Sequence, residues 1–354
     1  MKGLILSGGK GTRLRPLTYT RAKQLIPVAN KPVLFYGIDA IRDAGIREIG
    51  IVVGDTADEV MAAVGDGRRF GVKVTYIRQE APLGLAHAVK ISEGFLEDSP
   101  FVMYLGDNLI AGGITDLVAR FKELSPAAMI LLAQVEHPEW FGVAELKNDR
   151  VFRLVEKPKK PKSDLALVGV YMFTPAIHRA VAAIKPSKRG ELEITDAIQW
   201  LVDQGMTVEP HLVSGWWKDT GKVEDMLEAN RIVLDNMEHD VRGEVDAKSK
   251  VEFKVVIAPG AKIEGSVIRG PATIGAGARI VNSYIGPFTA VDENCLIENS
   301  EVEHSIVLAE SVIRNIPTRI EDSLIGRATV LECTRQRPEA LRFVLGEGSR
   351  VDLV

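Results

Sequence analysis

The chain has 354 residues, 46% of them apolar and 26% charged, with a formal charge of −4. That length exceeds the usual domain of roughly 100–200 residues, and that charge argues against a general nucleic-acid binder, so an anionic partner would have to meet a local basic cluster. No apolar run nears the ~18 residues of a membrane span, the start carries no signal-peptide pattern, and Cys295 and Cys333 have neither metal-like spacing nor the numbers for a disulfide framework. A reducing cytoplasm is therefore expected, with neither membrane nor nucleic acid as partner.

The first predicted strand, Leu4 to Ser7, runs into SGGKGTR. Consecutive backbone N–H groups there can converge on an anion such as a triphosphate, and Gly8, Gly9 and Gly11 let the main chain approach it closely. The spacing fits neither a dinucleotide fingerprint, which would need glycine where Leu14 stands, nor a P-loop. A purely structural turn accounts for the glycines equally well. Arg13 and Arg15 follow, and Lys23 stands in RAKQLIPV. Arginine forks onto phosphate oxygens and lysine acts as a point charge, which makes Arg13 and Lys23 the candidate phosphate clamps. Arg15 and Arg21 read as solvated surface charges.

Next come a helical window over Val33 to Asp43, a strand over Ile49 to Val53, a helix over Asp58 to Val64, and strands over Val72 to Ile77, Phe101 to Leu105, Ala128 to Val135 and Val168 to Phe173. This alternation, extending to about Glu238, predicts an α/β sheet covered on both faces. Phe101 to Leu105 ends in Gly106-Asp107-Asn108, placing a carboxylate at the carboxyl edge of a parallel strand, where open α/β sheets bind ligands. Asp219 in WWKDTG is a second hard oxygen donor, and Mg²⁺ commonly takes one or two carboxylates with phosphates and water. Either aspartate alone suits a turn equally well. Glu156-Lys157-Pro158 follows a strand-like VFRLV and opens the basic loop KPKKPKS, which by charge alone reads as a solvated face.

After about Asp240 the texture changes. Ile257, Ile263, Ile268, Ile274, Ile280, Ile285, Val291, Ile297, Val302, Leu308, Ile313, Ile320 and Ile325 recur at steps of about five to seven residues, with small or turn-forming residues between them. That period suits a solenoid with one short strand on each face of a triangular coil, although an antiparallel sheet with regular turns remains open. The expected division is residues 1–240, a coil at 241–335 and a tail at 336–354, with Pro338 to Leu345 as a short closing helix.

GGKGTRLRPLT and AKQLIPVANKPVLFY, followed in order by QEAPLGLAHA, LGDN, FGV, VEKP, VGVY, RGELEITD and WWKDTG, resemble the signature of the sugar-1-phosphate nucleotidyltransferases over essentially all of residues 1–235. The resemblance implies a Rossmann-like, GT-A-like mixed sheet flanked by helices. The hexads resemble those of left-handed parallel β-helices, and the handedness comes from that likeness. The implied reaction is attack by a sugar phosphate oxygen on the α-phosphorus of a nucleoside triphosphate, where positioning and charge neutralisation matter more than a general base. Implied with it are dTTP and glucose 1-phosphate as substrates, Mg²⁺ as cofactor, dTDP-glucose for deoxysugar synthesis as product, and a homo-oligomer.

By this similarity Leu6, Gly8, Gly9, Gly11, Thr12, Arg13, Gln79, Pro82 and Gly84 match nucleotide-binding positions, and the Gln79 amide can pair with the imide edge of thymine or uracil. Gly142, Glu156, Lys157, Val168, Arg189 and Trp217 match sugar-phosphate positions, although Trp217 serves equally as core. Asp107 and Asp219 match the metal-binding aspartates, and Arg13, Lys23, Asp107 and Lys157 carry the catalysis. His87 stands where the family often has glutamine, and it either touches the nucleotide or packs as an ordinary histidine. Competing readings are UTP or another hexose 1-phosphate, including an aminosugar, an added acetyltransferase activity in the coil, and an idle sugar-nucleotide-binding regulator. A short, slipping coil whose only histidine is His304 favours a structural role for it.

Overall fold

In the computed structural model, which describes residues 1–9, 11–333 and 345–352, the chain divides into two compact units. The first contains the opening residues, Arg21–Leu25 and Val33–Asp219, and the second contains Gly11–Thr20, Ile26–Pro32 and everything after Asp219.

The first unit is built on strand alternation. In β1 (Lys2–Ser7), Ile5 enters one apolar cluster while Leu4 and Leu6 enter another. Successive side chains of a strand point to opposite faces, so each face needs its own cover. On one side lie α1 (Val33–Asp43), α2 (Ala57–Val64) and α4 (Thr115–Leu124). On the other lie α3 (Leu85–Ile91), α5 (Ala176–Ala183) and α6 (Ile194–Asp203). The buried positions of α1, Val33, Leu34, Gly37, Ile38 and Ile41, follow the helical period that marked it in the sequence.

The remaining strands are β2 (Glu48–Val53), β3 (Lys73–Arg78), β4 (Phe101–Leu105), β5 (Asn108–Ile110), β6 (Ala128–Gln134), β7 (Gly142–Lys147), β8 (Arg150–Glu156), β9 (Leu165–Phe173), β10 (Val208–Leu212) and β11 (Trp217–Asp219). The main path of the nine-stranded sheet is β8-β7-β9-β4-β1-β2-β3, with β6 and β10 joined beside β9. Strands β3, β2, β1 and β4 are parallel. Strand β9 is antiparallel to β4, β6 and β7, so the sheet is mixed. The loops after β1, β2, β3 and β4 thus emerge at one carboxyl edge. Strands β5, β7, β10 and β11 escaped the sequence pattern: β5 and β11 have three residues each, β7 and β10 lack an alternating apolar stripe, and cross-strand partners make them strands.

The second unit holds α7 (Val223–Asp235) and three parallel sheets of six, six and four strands. They are the sheets of a left-handed parallel β-helix, which excludes the antiparallel alternative. Ile263, Ile280, Ile297 and Ile313 stack in register, and so do Ile268, Ile285 and Val302. One turn takes about 17 residues, the separation over which Ser283 N–H donates to Ser266 Oγ and Ser300 N–H to Ser283 Oγ. This serine column satisfies amide donors that a corner would otherwise leave unpaired inside the coil. Left-handed backbone repeats at the corners, as in Gly260, Gly277 and Asn294, and again in Gly265, Asn282, Asn299 and Asn315. Glycine and asparagine tolerate that region best.

One expectation fails in detail. Val307 stacks on Val291 where spacing pointed to Leu308, because that turn closes one residue short. His304 occupies a corner at φ 48 and packs edge-on against Phe288, 5.1 Å between centroids. The closing helix expected over Pro338 to Leu345 falls, except for its last residue, outside the described residues, as does part of the 336–354 tail.

Candidate active site

Strand β1 delivers Gly8 and Gly9 to the carboxyl edge. A Cβ on Gly8 would lie 3.4 Å from Gln79 Oε1, and one on Gly9 would lie 3.3 Å from Lys23 Cε. Both side chains therefore lie close against this stretch of main chain. Lys23 sits on a 3-10 turn, Lys23–Leu25, which Ala22 N–H tethers by donating to Glu59 Oε2 at 2.8 Å.

The Lys23 ammonium pairs with the Asp107 carboxylate, which follows β4 and is only 16% exposed. Burial pushes the Asp107 carboxyl up, but Lys23 and hydrogen bonds, including one from the Asn108 amide, outweigh it and hold the group below the ordinary range. Asn108 organises this corner. Its Nδ2 donates to Asp107 Oδ1 at 2.9 Å, while its Oδ1 accepts from Trp217 Nε1 at 2.6 Å and from Gly169 N–H at 3.3 Å. A Cβ at Gly169 would collide with Asn108 at 2.6 Å. Strands β5 and β11 pair antiparallel with Asp219 opposite Asn108, so the two aspartates stand one residue out of register. Among the described residues no group of three or more His, Cys, Asp or Glu side chains forms a metal cage. Two hard carboxylates nonetheless fit Mg²⁺, which leaves much of its shell to phosphates and water.

A second cluster forms where β7 and β8 pair Gly142 with Glu156. Glu156 accepts from Thr195 Oγ1 at 3.2 Å and from Arg189 Nη1 at 3.3 Å, with Lys157 Nζ 4.0 Å away. Burial first, and the Glu193 charge second, raise the Glu156 carboxyl despite Lys157, Thr195 and Arg189. Arg189 also pairs with Glu191 at 2.9 Å and Glu193 at 3.5 Å. A Cβ on Gly142 would meet Thr195 Cγ2 at 2.6 Å and Glu156 Oε2 at 3.2 Å, so glycine keeps the carboxylate reachable. Lys157 is held in left-handed backbone, φ 41, while its N–H donates to Phe141 O at 3.0 Å. Val168 is fully buried, main chain included, so it is not brought to an accessible surface of this cluster.

A third cluster centres on Gln79, just past β3. Gln79 Nε2 donates to Gly84 O at 3.3 Å and lies 3.0 Å from His87 Nδ1. Gly84 has φ 101 and caps α3, a backbone that only glycine adopts without strain. Leu192 N–H donates to Leu83 O at 2.8 Å and Ala86 N–H to Leu192 O at 3.0 Å, tying this loop to the Arg189 loop. Pro82 is exposed, and the Leu6 side chain is buried.

These contacts join Gly8, Gly9, Lys23, Asp107, Trp217 and Asp219 in one part of the first unit, and Gly142, Glu156, Lys157 and Arg189 in another. The nucleotidyl transferase family matches residues 2–236. The chain belongs to that family. A glucose-1-phosphate thymidylyltransferase of Streptomyces antibioticus is 59% identical over 100% of this chain and 99% of its own. One of Streptomyces griseus is 57% identical with the same coverage. A solved structure provisionally named glucose-1-phosphate thymidylyltransferase, from Bacillus anthracis, is 35% identical with a TM-score of 0.63, covering 68% of this chain and 98% of its own.

Not every candidate in this nucleotidyl transferase joins those clusters. Gly11, Thr12 and Arg13 belong to the second unit, where Gly11 (φ 60) opens the turn Thr12–Leu14 and Thr18 Oγ1 donates to Gly11 O at 2.7 Å. Arg13 is exposed, and Arg15 lies over the Tyr19 ring at 4.7 Å. Asn108, Thr195 and Glu193 were missed as contributors. Their signal was polarity inside motifs already picked out, LGDN and RGELEITD, but what each bonds depends on distant strands.

Proposed function

We propose that the protein transfers a thymidylyl group from dTTP to glucose 1-phosphate, forming dTDP-glucose and pyrophosphate for deoxysugar synthesis in the cytoplasm. The carrying observation is the convergence of Gly8, Gly9, the Lys23–Asp107 pair and Asp219 at one sheet edge. Full-length relatives bearing that activity in their names support the substrate choice.

The backbone of Gly8 and Gly9, together with Lys23, receives the triphosphate. Arg13 enters this reading from its motif alone. Asp107, kept ionised by Lys23, and Asp219 would hold Mg²⁺. The metal, when bound, neutralises charge on the phosphates and the departing pyrophosphate. Lys157 and Arg189 draw the sugar phosphate in, and Glu156 accepts from sugar hydroxyls. The sugar phosphate is already an anion, so its oxygen bonds to the α-phosphorus as the bond to the β-phosphate bridge breaks, and no side chain must take a proton. Gln79 faces the base. Main-chain groups of Leu6, Gly84 and Gly142, with Pro82, line the ligands, Val168 enters this reading from its motif alone, and Trp217 fixes Asn108.

A substrate matrix tests this: dTTP, UTP and other triphosphates crossed with several sugar 1-phosphates, read as pyrophosphate release. The highest kcat/KM is expected for dTTP with glucose 1-phosphate. A preference for another pair reassigns the substrates, and no release with any pair overturns the enzyme reading.

A further inference from the structure

The Gln79 amide has a defined direction. Gly84 O can only accept, so the amide nitrogen faces it, at 3.3 Å. The same nitrogen lies 3.0 Å from His87 Nδ1, so that ring nitrogen must accept and the ring proton resides on Nε2. Burial, with Lys90 adding to it, holds the His87 imidazole below its usual range, in keeping with a neutral ring. Both amide hydrogens are thereby directed toward Gly84 and His87, and Oε1 is left on the Gly8 side, 3.4 Å from where a Cβ on that glycine would stand. Gly84 and His87 belong to the cap and first turn of the same helix, α3, so one short segment supplies both acceptors.

We propose that His87 is a positioning residue for base choice: by accepting from Gln79 it presents Oε1 outward as an acceptor, selecting a pyrimidine whose ring nitrogen carries hydrogen, thymine or uracil, over cytosine, whose corresponding nitrogen is itself an acceptor. This rests on the reading that Gln79 faces the base. A donor in place of His87 would compete with Gly84 O over the direction of the amide, and an amide so turned would present its NH₂ group, which matches the ring nitrogen of cytosine and opposes that of an imide. The single methyl separating thymine from uracil lies outside this device.

The test compares kcat/KM for dTTP, dUTP and dCTP, with glucose 1-phosphate and Mg²⁺, in the wild type and in His87→Leu, His87→Gln and His87→Lys, each checked for folding by circular dichroism and thermal melting. The wild type should prefer dTTP over dCTP. His87→Leu should lower that preference about tenfold, the scale of one hydrogen-bonding preference, through KM for dTTP, with kcat and KM for glucose 1-phosphate within about twofold and the dTTP:dUTP ratio unchanged. His87→Gln should restore the preference, and His87→Lys should reduce it furthest. An unchanged dTTP:dCTP ratio in both the Leu and Lys variants, or an equal loss for every nucleotide, overturns the role of His87 while leaving the base reading intact. A wild type indifferent between dTTP and dCTP overturns both.

Discussion

Asp107 is largely buried, yet its carboxyl sits below the ordinary range because Lys23 and Asn108 outweigh the cost of burial. Asp107→Asn keeps the volume and removes the charge, so turnover should fall by about 10²–10³-fold, the usual scale for losing one electrostatic contact in catalysis. Steady-state kinetics with a Mg²⁺ titration checks this, and normal metal dependence would exclude Asp107 as a ligand. The stability linkage has a definite sign. A depressed folded-state pKa contributes stability above the unfolded value, about 3.9 for aspartate, and that contribution is lost as pH falls through the folded value. The stability gap between wild type and Asp107→Asn should therefore close on acidification below about pH 4.

Glu156 has the opposite sign, being raised by burial and by Glu193. Its folded-state advantage exists below the unfolded value, about 4.3, and disappears as pH rises through the folded one. Glu156→Gln should thus be more stable than wild type at pH 7, measured by chemical denaturation, while KM for glucose 1-phosphate rises about tenfold through loss of a charged acceptor. No gain in stability would mean that Arg189 and Lys157 compensate the carboxylate fully.

At the scale of elements, the two halves spread their stability differently. In the sheet, alternate residues of β1, β2 and β4 feed separate clusters on the two faces. In the coil, each turn packs chiefly on its neighbours, with outside contacts from Asn30 and Asn230 at Phe288 and Val291, so damage stays local. Ile280, fully buried between Ile263 and Ile297, should cost about 2–5 kcal/mol when cut to alanine. Asn299→Ala, which strains a left-handed corner and removes a 2.8 Å bond to Asn315, should cost only about 1–2 kcal/mol. Urea titrations of the pair check the order, and equal losses would refute this picture of the corners.

For the whole molecule, the coil is more than a detachable addition. Within the second unit Asn230 accepts from Ala29 N–H at 2.9 Å and donates to Phe288 O at 2.9 Å, while Asn30 Nδ2 donates to Val291 O at 2.7 Å. N-terminal segment, helix α7 and coil are thereby joined by polar groups, one of which, Asn230, is fully buried. Asn230→Ala should cost about 1–3 kcal/mol, because it strands both partners. Deleting residues 241–354 should lower the melting temperature further and reduce turnover. A truncated protein as stable and active as the full chain would show these bonds to be dispensable.

From sequence alone came what local chemistry and periodicity determine: the extent of α1, where a 3.6-residue stripe of apolar side chains leaves little choice, the parallel strands ending at glycines or aspartate, and the coil, whose short repeat admits few other packings. The motif residues Lys23, Asp107, Glu156 and Lys157 were legible as chemical types. Only the tertiary structure decided their partners. Lys23, on its 3-10 turn, meets Asp107 just past β4, Asn108 gathers Trp217 and Gly169 from distant strands, and the Gln79 amide takes its direction from Gly84 and His87. Such choices depend on which donors and acceptors long-range folding brings within about 3 Å, and no local pattern of residues encodes that distance.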